Sequence, residues 1–296
     1  MHEPSDATSA ALPSTMRDRD AGPLSSGRRY VRVLATFVRN SLVREMTFRS
    51  NFLITVLTRL FWFVAQIVLF NVIYRHVDSI RDWSEYEYYA FMATYMIVFS
   101  LNEALFLPNA IQFGERIRTG DLDFALVKPI DPQFLISLER VDFGVLANTL
   151  FAVGVLLYAL AELAITPTPV EVALFLGLII VAVAFFYSLM ITMAAASIFF
   201  GRNTGLQDFW FYVTIFGRYP QSFFRQSGLG DTLVVGLSYV LPIMLVITVP
   251  ARVLLGKTLE PSWSVVAVAP ALTLLLFAFS RAVFLWSLRR YSSASS

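Results

Sequence analysis

Few residues in this 296-residue chain have the types and spacing that chemistry requires. The run ARVLLGKT at residues 251–258 matches the loose pattern of a phosphate-binding loop. Such a loop cradles phosphates only between a buried strand and a helix. Here a hydrophobic run containing Pro242 and Pro250 precedes it, Ala251 replaces the usual first glycine, and no acidic strand for Mg²⁺ is visible. We therefore interpret the match as coincidental and predict no nucleotide site.

Other candidates for catalysis or metal binding are equally sparse. Asp121 and Asp123 flank Leu122, but two carboxylates without a third ligand are weak evidence for a metal. His2 and His76 are the only histidines, and the chain has no cysteine. Serines near the apolar runs have no base that could activate them. We predict no catalytic, cofactor-binding or metal-binding residues, and therefore no enzyme activity.

The composition is that of a membrane protein. Hydrophobic residues make up 57% of the chain, charged residues only 15%, and the mean hydropathy is +0.65. Soluble domains carry about 25% charged residues. A net charge of +2 is too small to indicate nucleic-acid binding. The predicted fold class is an all-α integral membrane protein in a lipid bilayer.

Apolar runs long enough to cross a bilayer alternate with polar or proline-containing connectors. We predict six transmembrane helices, at about residues 52–74, 86–107, 143–165, 172–200, 232–255 and 263–286. Residues 1–27 lack any apolar run and are predicted to be a disordered cytoplasmic tail. One six-span domain, residues 28–291, and a short cytoplasmic tail, residues 292–296, complete the chain.

Residues 28–49 have apolar positions at helical spacing and arginines on another face, including Arg28, Arg32 and Arg39. This pattern suits an amphipathic helix in the membrane interface. The alternative is a basic flank that only fixes topology. Lys and Arg near the span ends number fifteen on the side of the amino terminus and four on the other. The positive-inside rule then places both termini in the cytoplasm of a multi-pass protein.

The connector between the second and third spans, residues 108–142, is called the polar segment below. It carries ten charged residues and lies on the predicted cytoplasmic face. A short amphipathic helix, about 109–119, should end at Gly120 in a left-handed cap. Asp131 and Pro132 have the types expected at the cap and first position of a second helix. A compact polar element between two spans is a candidate for docking a soluble partner.

Two charges fall inside predicted spans. Arg59 lies in the first span and Glu103 near the end of the second, about 6–10 Å inside the same face. A charge within the bilayer costs about 2.5–3.5 kcal/mol on insertion scales. We hypothesise that Arg59 and Glu103 form an intramembrane pair that holds the two spans together. Alternatively, each side chain reaches the interface independently.

The pattern as a whole resembles permease subunits of type-2 ATP-binding-cassette (ABC-2) exporters, in a bacterial branch of six-span permeases. That branch has a second cytoplasmic segment resembling IRxGxLDxxLxKPxxP, and residues 117–132 here read IRTGDLDFALVKPIDP. The likeness extends from about residue 28 to 291 and includes the run FGRYP at 216–220. The sixteen-residue run is its most specific part.

The resemblance implies a subunit of the cell (plasma or inner) membrane that exports an unidentified substrate and hydrolyses nothing itself. A second permease subunit, identical or related, would pair with it. A separate cytoplasmic ATPase would use ATP, and a coupling helix in the loop between spans two and three would dock on that ATPase. The implied coupling residues are Glu115, Arg116, Arg118, Gly120, Asp121, Asp123 and Lys128. Alternatives are a stand-alone secondary transporter or a non-transporting membrane scaffold.

Overall fold

The computed structural model describes residues 23–200, 204–224, 234, 236–257, 259 and 264–291. These residues form helices, and no strand occurs among them beyond an isolated bridge between Ile80 and Trp83. The helices are α1 Pro23–Thr47, α2 Arg49–Tyr74, α3 Glu85–Leu105, α4 Leu107–Thr119, α5 Leu122–Leu126, α6 Pro132–Leu138, α7 Phe143–Glu162, α8 Pro169–Phe200, α9 Thr204–Gly217, α10 Gln221–Phe224, α11 Ile243–Leu254 and α12 Ser264–Arg290. A π turn, Gly236–Val240, precedes α11.

Five helical stretches in the described residues are long and apolar enough to cross a membrane: α2, the continuous 85–119 stretch of α3 and α4, α7, α8 and α12. The chain is therefore an all-α integral membrane protein, as the sequence predicts. The predicted fifth span, 232–255, contains the 12-residue α11, which is shorter than a bilayer requires. Residues 225–233 and 235 lie outside the described part, so the predicted number of six spans stays a prediction.

Two helix boundaries differ from the sequence prediction. The amphipathic helix α1 begins at Pro23, inside the predicted tail of residues 1–27; residues 1–22 lie outside the described part. The predicted helix 109–119 corresponds to α4, which begins two residues earlier and follows the helix of the second span directly, with a bend at Phe106. The second span thus extends into the polar segment instead of ending before it.

Pro108 accounts for this bend. Proline has no N–H to donate to the carbonyl four residues earlier, which here belongs to Ala104. The Asp142 N–H donates to the Ala104 oxygen instead, at 2.9 Å. Since Asp142 also caps α7 by accepting from the Val145 N–H at 2.9 Å, the start of the third span is fixed against the end of the second.

The core is centred on α3, which is largely buried and packs mainly against α7. Helix α8 packs against α11 and α12. Helix α2 lies at the periphery and exposes most of its apolar side chains, as expected for a surface in contact with lipid or another membrane subunit. A second, smaller apolar cluster joins the polar segment to α8 and α12 through Phe113, Leu122, Leu135 and Phe284.

Gly217 permits the close approach of α9 to the core. A Cβ at this position would lie 2.8 Å from Ile247 Cδ1 and 3.1 Å from the Phe99 ring. Both distances are shorter than ordinary van der Waals contact. The next residue, Arg218, is thereby held beside α3, where it lines a cavity described below.

Candidate functional site

The polar segment has the local structure that its turn and cap residues predict. Gly120 is left-handed, with φ of +79°, and ends α4. The Asp131 carboxylate accepts from the Phe134 N–H at 3.0 Å, and Pro132 is the first residue of α6. Both cap predictions are confirmed. The short helix α5 between them was not predicted, and it buries Leu122 and Ala125.

An ion pair fastens the polar segment to the last span. Arg281 of α12 pairs with Asp131, and its guanidinium also donates to Gln133 Oε1 at 2.8 Å. Burial raises the pKa of the Asp131 carboxyl, but the Arg281 side chain and backbone N–H donors outweigh burial and hold that pKa below its usual value. Asp131 is therefore a carboxylate at neutral pH, and α6 and α12 are joined by a charged contact.

Tyr187 of α8 forms a second attachment. Its hydroxyl accepts from Gln133 Nε2 at 2.9 Å and shares a hydrogen bond of 2.9 Å with Ser137 Oγ. Asn109 closes the segment on itself, since its side chain donates to the Arg140 carbonyl and accepts from the Arg140 N–H. The polar segment is thus held to α8 and α12 by directed polar bonds as well as by apolar packing.

The opposite side of the polar segment is open. Phe124 is 72% exposed and Val127 is 80% exposed, although both are large apolar side chains. Beside them, a groove of about 290 Å³ is lined by residues of α4, α5 and the following turn, including Gln112, Glu115, Arg116, Thr119, Asp121, Phe124 and Lys128. We call the Phe124 and Val127 side chains together with this groove the exposed patch.

The residues implied as coupling residues by the family resemblance lie on or next to the exposed patch. Arg118 pairs with Glu115, and both side chains are exposed on α4. Arg116 instead pairs with Glu139, 2.5 Å away, and so braces α4 against α6. Asp121 accepts from the Thr119 hydroxyl at 2.7 Å. Gly120 caps α4, Lys128 lines the groove, and Asp123 lies near the Tyr291 hydroxyl.

The structure brings Arg59 and Glu103 together as an ion pair. Trp210 Nε1 of α9 donates to the other carboxylate oxygen of Glu103 at 3.1 Å. Glu103 therefore links three helices, α2, α3 and α9. The pair borders a cavity of about 370 Å³ between these helices, which we call the α2–α3–α9 cavity.

The run at residues 251–258 has a structural explanation. Gly256 is left-handed, with φ of +61°, and ends α11. Its N–H donates to the Val253 carbonyl at 3.2 Å, and the Lys257 N–H donates to the Arg252 carbonyl at 2.9 Å. These two bonds are those of a Schellman cap. The described residues 251–257 are therefore a helix end and not a phosphate-binding loop.

Both basic side chains of this run contact Trp83, in the loop between α2 and α3. The Arg252 guanidinium lies 5.4 Å and the Lys257 ammonium 5.1 Å from the centre of the Trp83 ring. Arg252 pairs with Asp82 and Lys257 with Glu87. Trp83 is fully buried, and its Nε1 donates to Ser222 Oγ at 3.0 Å. We call these residues, with Trp83 at their centre, the Trp83 cluster.

Sequence reasoning missed Arg281, Arg218, Phe124, Val127 and Trp83. Arg281 lies inside the predicted last span, 263–286, and a charge in that position was a usable signal. The apolar residues Phe124, in α5, and Val127, which directly follows α5, are three apart and are both exposed. Nothing in the sequence indicates that they are exposed. In the described residues, no group of three or more His, Asp or Glu side chains is placed to hold a metal ion.

The described residues contain five helical stretches that are long and apolar enough to cross a membrane, together with a basic amphipathic helix and the anchored polar segment. These features define a multi-pass α-helical membrane protein. A family model described as "ABC-2 family transporter protein" matches residues 60–295. The chain belongs to the ABC-2 transporter family, and it is the membrane-spanning permease part of an ABC transporter. No curated protein and no solved structure matches the chain.

Proposed function

We propose that this chain is the permease subunit of an ABC exporter in the cell membrane, driven by a separate cytoplasmic ATPase. The observation that carries this proposal is the exposed patch on an anchored polar segment. Phe124 and Val127 expose apolar surface to water, which is unfavourable unless a partner covers it. The surrounding charges of Glu115, Arg118 and Lys128 would form the polar rim of such an interface.

The anchoring of the polar segment supports a mechanical role. A rigid-body displacement of a docked ATPase would act on α6, and through the Asp131–Arg281 pair on α12. The hydrogen bonds of Tyr187 would carry the same displacement to α8. Movement of packed elements as units is the usual route by which ATP-driven closure reaches a distant site. In this proposal the polar segment and both termini are cytoplasmic, and a second permease subunit completes the transporter.

The test is copurification with the candidate ATPase. The double variant Phe124→Ser/Val127→Ser removes the apolar part of the exposed patch and leaves the anchoring contacts unchanged. We expect it to insert normally but to lose most of the ATPase, because central apolar anchors often contribute about 2 kcal/mol or more to binding. Val77→Ser, in the α2–α3 loop, makes the same change at an exposed valine elsewhere and should retain the ATPase.

A second pair of variants addresses the charges. Asp121→Arg/Asp123→Arg reverses the charge beside the exposed patch and should uncouple ATP turnover from transport or dissociate the ATPase. If no ATPase copurifies with the wild-type chain and all loop variants behave like it, the exporter proposal fails. A stand-alone transporter that uses the α2–α3–α9 cavity would then take its place.

A further inference from the structure

The α2–α3–α9 cavity has the size and position of a ligand site. Its volume of about 370 Å³ lies within the range of about 300–1,000 Å³ typical of small-molecule pockets. It extends along α2 from Arg59 to Phe70, a length of about 16 Å at 1.5 Å rise per residue. It therefore lies within the predicted bilayer and not on an aqueous surface.

The charges of the lining do not balance. Two guanidinium groups, those of Arg59 and Arg218, face the single carboxylate of Glu103. Glu103 is already engaged by Arg59 and by Trp210. Arg218 lies beside the Tyr95 hydroxyl, but its buried Nε has no hydrogen-bond partner, and no carboxylate of the described residues forms an ion pair with it.

A surplus cation in this position is costly unless something compensates it. Buried charges in proteins are paired or hydrogen-bonded, because an isolated charge loses its hydration in a low-dielectric surrounding. Charged residues within a membrane are rare for the same reason and mark ligand or ion pathways. No described residue supplies an anion that would compensate Arg218.

The rest of the lining is suited to an apolar body. Trp62, Phe63, Phe70, Phe99 and Met96 contribute walls on α2 and α3, and Tyr219 closes the cavity from the residues after α9. A purely inorganic anion would leave these rings in contact with water. An anion that carries an aromatic or aliphatic group would satisfy both parts of the lining.

We propose that the α2–α3–α9 cavity binds an organic anion with one charged group and an apolar body, the charged group on Arg218. This rests on the proposed function, for which it names the class of transported substrate. Two sources share this chemistry, a free amphipathic anion and an anionic phospholipid.

The experiment uses the full chain in phosphatidylcholine nanodiscs and three probes of the same shape. They are 2-naphthoate, which is anionic at neutral pH, neutral 2-naphthamide, and cationic 2-(aminomethyl)naphthalene. Empty nanodiscs give the partition into lipid, which is subtracted. We expect naphthoate to bind at least about tenfold more tightly than the other two, the gain expected of a charge-assisted hydrogen bond.

Variants identify the side chain responsible. Arg218→Gln should abolish the preference for naphthoate, Arg218→Lys should retain part of it, and Arg39→Gln, at an exposed arginine of α1, should retain all of it. If Arg218→Gln does not fold, Glu103→Gln remains as a test. It releases Arg59 from its pair and should tighten naphthoate binding, whereas a lining that is indifferent to charge would not respond.

Nanodiscs that contain phosphatidylglycerol separate the two sources. Weaker naphthoate binding there, with the loss absent in Arg218→Gln, identifies the phospholipid as the occupant; unchanged binding identifies a free anion. The proposal is overturned if the three probes bind equally or if Arg218→Gln keeps the preference. If the ATPase copurifies but the preference for naphthoate is absent, the exporter proposal stands and the anion-binding proposal fails. If the preference is present but no ATPase copurifies, the anion-binding proposal stands and the exporter proposal fails.

Discussion

The polar segment and the Trp83 cluster are built from similar side chains but are completed in opposite ways. In the Trp83 cluster every charge is used within the chain: Arg252 pairs with Asp82, Lys257 with Glu87, and both cations contact one buried ring. In the polar segment only one side is completed, by Arg281 and Tyr187. The other side leaves Phe124 and Val127 exposed.

This difference separates a stabilising contact within the chain, which we call a closure, from a docking surface. Because the charges of the Trp83 cluster are paired with one another, they are not available to a partner, and the cluster stabilises the α2–α3 loop against the end of α11. An anchored element with an exposed apolar patch has the properties of a contact surface that passes displacement inward. Substitutions should therefore reduce stability in the Trp83 cluster and reduce binding or coupling in the polar segment.

The largest expected effect is that of Trp83→Ala. Trp83 is fully buried and contacts two cations, and truncation of a buried aromatic side chain costs about 3–5 kcal/mol of the free energy of unfolding. Unfolding in detergent measures it. Trp62→Ala is the matched control, because Trp62 is 68% exposed and should change stability by about 0.5 kcal/mol or less. Equal costs for the two variants would show that the Trp83 cluster is not a closure.

Breaking the anchor of the polar segment should have the next largest effect. Arg281→Met leaves Asp131 without its cation in a half-buried position, at a cost of about 1–3 kcal/mol, between exposed and buried ion pairs. In the complex of this variant with the ATPase, ATP-driven transport should fall by a larger factor, relative to wild type, than the rate of ATP hydrolysis. Adding Asp131→Asn to Arg281→Met should restore part of the stability. Strictly additive losses in this double-mutant cycle would mean that the pair contributes no coupling energy.

Much of this architecture could be predicted from the sequence because it depends on local rules. Gly120 and Asp131 have the side chains that their cap geometries require, and span positions follow from the length of apolar runs. The meeting of Arg59 with Glu103 was accessible as well, since both charges lie within spans at similar depth. The functional role of that pair, like that of the implied coupling residues, stays a prediction.

What could not be predicted depends on contacts between distant parts of the chain. The match at residues 251–258 could be discounted, but its role as partner of Trp83 could not be foreseen, because that contact joins elements about 170 residues apart. The exposure of Phe124 and Val127 depends on how α5 and the residue after it pack against α4 and α6. The surplus charge of Arg218 becomes visible only when Glu103 is seen to be engaged by Arg59 and Trp210.

A smaller effect distinguishes the closure from a nucleotide site. Lys257→Met removes one cation from the Trp83 ring and one partner from Glu87, which together should cost about 1–2 kcal/mol. The permease chain alone should not be stabilised by MgATP, whether wild type or variant. If MgATP raised the stability of the wild type and not of Lys257→Met, the interpretation of residues 251–257 as a helix cap alone would be wrong.

The smallest expected effect is a response to acid that both regions share. Burial raises the pKa of Asp82, but the Ser222 hydroxyl and the charges of Arg252 and Lys257 outweigh burial. The pKa of Asp82 in the folded protein is therefore below its usual value. The pKa of Asp131 is lowered as well, against burial, by Arg281 and backbone donors. A carboxyl whose pKa is lowered in the folded state stabilises the protein at pH values above its pKa in the unfolded state, which is about 3.9 for Asp. That contribution is lost as the pH falls through the pKa of the folded state.

Wild type, Asp82→Asn and Asp131→Asn should therefore differ in stability by a constant amount between pH 7 and pH 5. Each difference should shrink only below about pH 4, and by less than about 1 kcal/mol for the partly exposed Asp82. Unfolding in detergent at a series of pH values measures both differences. A wild type that gained stability relative to either Asn variant between pH 7 and pH 5 would require a carboxyl with a raised folded pKa. That result would contradict the paired, ionised state of Asp82 and Asp131 on which the comparison of the two regions depends.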